Sequence, residues 1–224
     1  MKLKIFASSL FVLLFVLGAL PLAAQKVETA PAEPEMGVFM IRTDTGALII
    51  KNSPKLSFTL EFRGQEIKTL KSDHPVFRVD GRLVQVVNVD FENYWQPAAG
   101  AKTEPTEQEL LEAHRKWESD YIGGELNSRL SLTSENLEIV GKKKALFWSF
   151  PMPKDLGSDY SHTLFLTTLI GKNILGLNAS VGLTDDLKEF KAYLLTVMNT
   201  LNLSEKPFNI QEISKKIKEK KPVD

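Results

Sequence analysis

The chain of 224 residues carries 28 basic and 28 acidic residues, three histidines and no cysteine. Without a thiol there are no disulfides, thiolate metal sites or cysteine nucleophiles. The even charge balance gives no electrostatic drive toward nucleic acid, so no such partner is expected.

The amino terminus has three parts. Lys2 and Lys4 form a short positive region, Ile5 to Leu20 is apolar apart from Ser8, Ser9 and Gly18, and Pro21-Leu22-Ala23-Ala24 ends in small residues. This is the pattern of a secretory signal peptide over residues 1–24, cleaved after Ala24. The apolar run of about 16 residues is shorter than the roughly 20 that span a bilayer. No cysteine follows it for lipid attachment. An exported protein, periplasmic or extracellular, is expected, with 26 basic and 28 acidic residues after cleavage because both removed charges are lysines. Residues 25–35 (QKVETAPAEPE) are polar and proline-rich and read as a flexible linker.

A single domain is expected over 36–204. Two apolar segments, 37–43 and 46–52, flank Asp44-Thr45-Gly46-Ala47, and LSFTLEFR (56–63) alternates apolar and polar residues at strand period. Asp80-Gly81 between VFRV and RLVQVVNVDF is a strong hairpin signal. Residues 92–105 form a loop containing Tyr94 and Trp95. Thr106 and Glu109 fit a capping box, and Leu110, His114, Trp117 and Tyr121 follow at helical spacing up to a stop at Gly123-Gly124. Strands resume at 137–140 and 145–150, and segments 163–170 and 174–181 form a hairpin around Gly171-Lys172-Asn173. That hairpin is apolar on both faces, which predicts a mid-sheet position covered on each side. Thr184 is expected to cap the last long helix, with Asp185 and Asp186 in its first turn and a stripe of Leu187, Phe190, Leu194, Val197, Met198 and Leu201. The lysine-rich tail 205–224 holds Ile210, Ile213 and Ile217 at helical spacing. It reads as a short docked helix, and three isoleucines give too little insertion to expect membrane association.

Asp44-Thr45-Gly46 is the string that aspartic peptidases place around their catalytic carboxylate, and Leu169-Ile170-Gly171 looks like the second segment of retroviral-type members. Such chemistry needs two carboxylates sharing a proton, so a chain with one copy must dimerise. Against it, Arg42 and Thr43 precede the aspartate where an apolar strand is required. Ile170 lies 126 residues after Asp44, with a capped helix between. Turn chemistry explains an Asp and a Gly between two strands. The turn reading is preferred, and a dimeric peptidase using Asp44 stays as the alternative. His74, His114 and His162 have no ligand-like spacing, Gly171-Lys172 lacks the hydroxyl residue and helix of a phosphate loop, and no serine motif occurs. No metal and no cofactor are expected.

Strands, one central capped helix, more strands and a long amphipathic C-terminal helix predict an α+β fold, an antiparallel β-sheet packed with helices. Within 145–203, the hairpin LFLTTLIGKNILGLNASV followed by TDDLKEFKAYLLTVMNTL resembles the PsbP-like family of exported α+β proteins. That resemblance implies a non-enzymatic, exported binding or assembly-assisting protein, and no functional residues carry over. The expected ligand or partner surface is Tyr94 and Trp95 beside the helix face of His114, Trp117 and Tyr121. The ligand and the oligomeric state are left open.

Overall fold

In the computed structural model, which describes residues 34–70, 75–93, 104–153 and 159–219, the strands divide between two antiparallel sheets. The smaller sheet contains β1 (Gly37–Thr43), β2 (Gly46–Asn52), β3 (Ser57–Arg63) and β11 (Asn202–Ser204), in the order β1-β2-β3-β11. The larger contains β4 (Ile67–Leu70), β5 (Val76–Val79), β6 (Arg82–Asp90), β7 (Thr133–Ile139), β8 (Lys143–Pro151), β9 (Tyr160–Ile170) and β10 (Asn173–Gly182). Its order is β4-β5-β6-β10-β9-β8-β7. Three helices accompany them: α1 (Glu107–Glu125), α2 (Leu187–Met198) and α3 (Ile210–Glu219). The α+β class is as expected. The division into two sheets, and the short strands β4 and β11, were not legible in the pattern.

The larger sheet sets the layering. Along β8, Ala145 and Phe147 point to one side while Leu146, Trp148 and Phe150 point to the other, and β9 and β10 alternate in the same way. One face packs against the smaller sheet and α2, joining Leu164, Leu166, Leu175 and Leu177 to Ile49, Leu60, Phe62, Phe190 and Leu194. The opposite face packs under α1, where Leu111 meets Trp148, Phe165 and Ile174. Removing each such side chain from water contributes about 1.5–3 kcal/mol. The two-faced hairpin of β9 and β10 lies between β6 and β8, covered on each side.

Local chemistry ends the elements. Asp80 (φ 47°) and Gly81 (φ 85°) both adopt positive φ, the signature of a type I′ turn, and fix the β5–β6 hairpin. The Thr106–Glu109 capping box forms as the sequence predicts. The helix stop differs. α1 runs through Gly123-Gly124, and the left-handed residue is Asn127 (φ 46°). Ser128 N–H donates to Gly123 O at 2.9 Å and Asn127 N–H to Gly124 O at 3.1 Å, the paired bonds of a Schellman cap. The cap of α2 is Asp186 rather than Thr184; its carboxylate accepts from the amides of Lys188 and Glu189. Asp185 instead accepts from Gly182 N–H at 3.0 Å.

The outer side of the smaller sheet is tied to the C-terminal segment by Asn52, which is 2% exposed. Its amide donates to the Phe208 and Glu35 carbonyls and accepts from Phe208 N–H, each at 2.8 Å. Asn209 then caps α3 through Glu212 N–H at 3.0 Å, and α3 packs on β1. No helix among the described residues is long and apolar enough to cross a membrane. Residues 1–33, which hold the expected signal peptide and most of the linker, lie outside the described residues.

Gly46 owes its identity to packing. A Cβ there would sit 1.9 Å from Phe62 O on β3, so no other residue fits without displacing that strand. Gly46→Ala is expected to cost about 2–3 kcal/mol in urea denaturation, whereas Asp44→Asn at the exposed tip should stay within about 0.5 kcal/mol of wild type. Equal midpoints for the two variants would refute this account of the glycine.

Candidate functional site

Of the five residues expected to form a surface, the structure describes three. Tyr94 and Trp95 lie outside the described residues. His114 is buried, 4% exposed, on the side of α1 that meets the larger sheet. Trp117 and Tyr121 are 44% and 56% exposed, and their rings stack with centroids 5.6 Å apart and planes 2° from parallel. The helix face is therefore two surfaces, because the sheet covers only part of the apolar arc.

A cross-strand row explains where the cover ends. Val76, Gln85, Asn178, Phe165 and Trp148 are successive register partners across β5, β6, β10, β9 and β8. Trp148 and Phe165 stack at 3.8 Å beneath α1. Beyond Phe165 the row turns polar: the Asn178 amide reaches Gln85 Oε1 at 3.5 Å. Here the face carries an open groove of about 340 Å³, bounded by Glu118 and Ile122 of α1 and floored by Gln85, Asn178 and Ser180. Sequence reasoning missed Glu118, although its place four residues after His114 put it in the inward arc.

Glu118 and His114 are each held toward their neutral forms. Burial pushes the His114 imidazole down to about 4 and raises the Glu118 carboxyl above its ordinary value. His114 Nε2 lies 3.9 Å from Glu118 Oε2, beyond hydrogen-bond range, so desolvation outweighs the attraction. Around the helix axis, Tyr121 and Trp117 lie about 60° and 100° from Glu118, on the flank opposite Ser119. The groove can thus hold a polar or cationic group, with an aromatic platform one row away. It contains no nucleophile–base pair. Among the described residues no three His, Asp or Glu side chains gather as a metal site.

Asp44 occupies the exposed turn between β1 and β2, and the neighbouring Thr45 carbonyl accepts from Gly64 N–H at 3.0 Å. The close approach of Gly46 to β3 accounts for the rest of the string. Nothing in this geometry supports the peptidase alternative. Gly171-Lys172 forms the two-residue turn between β9 and β10, with Gly171 at φ 59°.

A second concavity, of about 440 Å³, opens between the two sheets. It lies among inward-facing residues of β1, β2 and β3 on one side and of β4, β5 and β6 on the other. Its apolar walls include Met40, Ile49, Phe58, Phe77 and Val86, and its polar members are Lys51, Thr69 and Asn88.

No family model matches the chain, and no curated protein matches it. Among solved structures it is similar to the solution structure of cyanobacterial PsbP (CyanoP) from Synechocystis sp. PCC 6803. The TM-score is 0.45 at 11% identity, over 80% of this chain and 99% of that one. That comparison assigns no activity.

The buried pair sets a pH dependence. His114 is neutral in the fold and protonates in the unfolded chain, so stability is kept above about pH 6.5 and lost as pH falls toward 4, by about 3 kcal/mol in all. Glu118 has the opposite sign: its raised value costs stability at neutral pH, and the cost disappears as acid protonates it in the fold. His114→Gln should flatten the acid limb of a stability–pH curve from urea titrations. Glu118→Gln should raise the midpoint at pH 7–8 and leave it unchanged near pH 4; a stabilisation that grows toward acid would contradict the assignment.

Proposed function

We propose that this chain is an exported, non-catalytic binding protein that engages its partner or ligand on the flank of α1. The observation that carries this reading is the exposed, stacked Trp117–Tyr121 pair beside the half-buried Glu118 carboxylate. Rigid aromatic faces lose little conformational entropy on docking and are enriched among the residues that dominate binding energy. A carboxylate already partly stripped of water gains from a complementary cation. The matching ligand presents an amine or guanidinium toward Glu118 and lays a flat apolar flank, or the cation itself, over the rings. Export rests on the charged, apolar and small-residue succession of residues 1–24. Assisting the assembly of a larger complex is one use of such a surface, and the use that the PsbP-like resemblance of residues 164–201 implies.

Native co-purification of the wild type and of a Trp117→Ala/Tyr121→Ala double variant, quantified by mass spectrometry, tests the reading. The variants replace exposed side chains, and matched unfolding midpoints confirm an intact fold. Molecules enriched by the wild type should fall at least tenfold with the double variant and be weakened by Glu118→Gln. Undiminished enrichment of the same molecules by the double variant would sink the proposal.

A further inference from the structure

The cleft between the sheets differs in chemistry from the α1 groove. Three inward-facing rows cross the smaller sheet: Arg42–Ala47–Phe62, Met40–Ile49–Leu60 and Val38–Lys51–Phe58. Ala47, Ile49, Leu60 and Phe62 are at most 1% exposed, and Phe62 meets Phe77 of the larger sheet at 5.4 Å. At this end the sheets are closed, with the Arg42 guanidinium donating to Ile67 O of β4. One row further along, Thr69 of β4 reaches the Met40 sulfur at 3.6 Å. In the last row the sheets part, and the space of about 440 Å³ appears.

Two polar groups stand at inward positions in this otherwise apolar space. Lys51 follows Ala47 and Ile49 at strand period, so its stem points between the sheets. It makes no ion pair among the described residues. Asn88 follows Val84 and Val86 in the same way on β6, and its side-chain oxygen is buried with no hydrogen-bond partner. Protein interiors are otherwise filled to crystal density, and a buried polar atom left unpaired costs about 1–3 kcal/mol. Both groups line the same cleft, as do Phe58, Phe77 and Val86, and Val38 at the rim is 41% exposed. The nearest acid in the same strand phase, Asp90, accepts from Glu92 N–H at 2.9 Å and is not part of the lining.

We propose that the inter-sheet cleft is a binding site for a small amphiphilic carboxylate. Its apolar body lies among Met40, Phe58, Phe77 and Val86, and its carboxylate meets the Lys51 ammonium. The volume lies within the range of small-molecule sites, which are mostly apolar with a few placed polar groups. Charge complementarity with Lys51 selects an acid over an amine. Methionine at the mouth adapts to chains of differing shape. This site is independent of the α1 flank, so either proposal can fail without the other.

Titration calorimetry of the full domain with decanoate, decanol and decyltrimethylammonium, each below its micellar concentration, decides the matter. Decanoate should bind one per chain, at least tenfold tighter than decanol, with the cationic amphiphile weakest. Lys51→Gln, at a partly exposed position, should abolish the preference for decanoate over decanol, and Lys51→Glu should invert it. Val38→Trp, which fills the rim, should weaken decanoate and decanol together, while Trp117→Ala changes neither. No decanoate binding by a folded wild-type domain would overturn the proposal. So would equal binding of decanoate and decanol, or a preference unchanged in Lys51→Gln.

Discussion

Three adjacent strands, β8, β9 and β10, carry apolar side chains on both faces, and the rest of the molecule follows from having to cover them. A half-solvated sheet would leave either Trp148, Phe150 and Phe165 or Leu164, Leu166 and Leu177 in water. Neither is tolerable, because a large buried side chain is worth about 1.5–3 kcal/mol. One cover is α1; the other is the smaller sheet together with α2. The cover need only extend as far as the apolar surface does. It stops where Asn178 and Gln85 succeed Phe165 in one register row, and there the α1 groove begins.

The same reasoning locates the inter-sheet cleft. Two twisted sheets pack tightly only where their inward side chains interlock, as Phe62 and Phe77 do. Where the inward residues become Lys51 and Asn88, close packing would bury a charge and an amide together, and the sheets diverge instead. Both concavities thus occur where the alternation of a strand places a polar residue in an inward phase. They are opposite in chemistry: a desolvated carboxylate in one, a lysine and an amide in the other.

Turn and cap residues repeat a lesson about what a short string means. Asp44-Thr45-Gly46 matches a catalytic signature, yet its glycine is required because the Phe62 carbonyl passes within 1.9 Å of where a Cβ would be. Gly123-Gly124 looks like a helix stop, yet Asn127 takes the left-handed conformation and the glycines stay helical. At Gly46 a neighbour in space, not in sequence, settles why the residue is there, whereas the end of α1 is set by the local bonds of Asn127 and Ser128.

Periodicity alone determined the α+β class, the capped central helix, the Asp80-Gly81 hairpin and the two-faced hairpin at mid-sheet, since these depend on propensities within about ten residues of chain. His114, Trp117 and Tyr121 were likewise correctly placed on one helix. Which of them is buried, and that Glu118 joins them, depends on how far the sheet extends beneath that helix. Lys51 and Asn88 were visible as breaks in an apolar alternation, but their shared cleft brings together residues 37 positions apart on different sheets. Tertiary structure decided the division into two sheets, the lining of both concavities and the neutral state of His114, because burial is a property of the neighbours that the fold assembles.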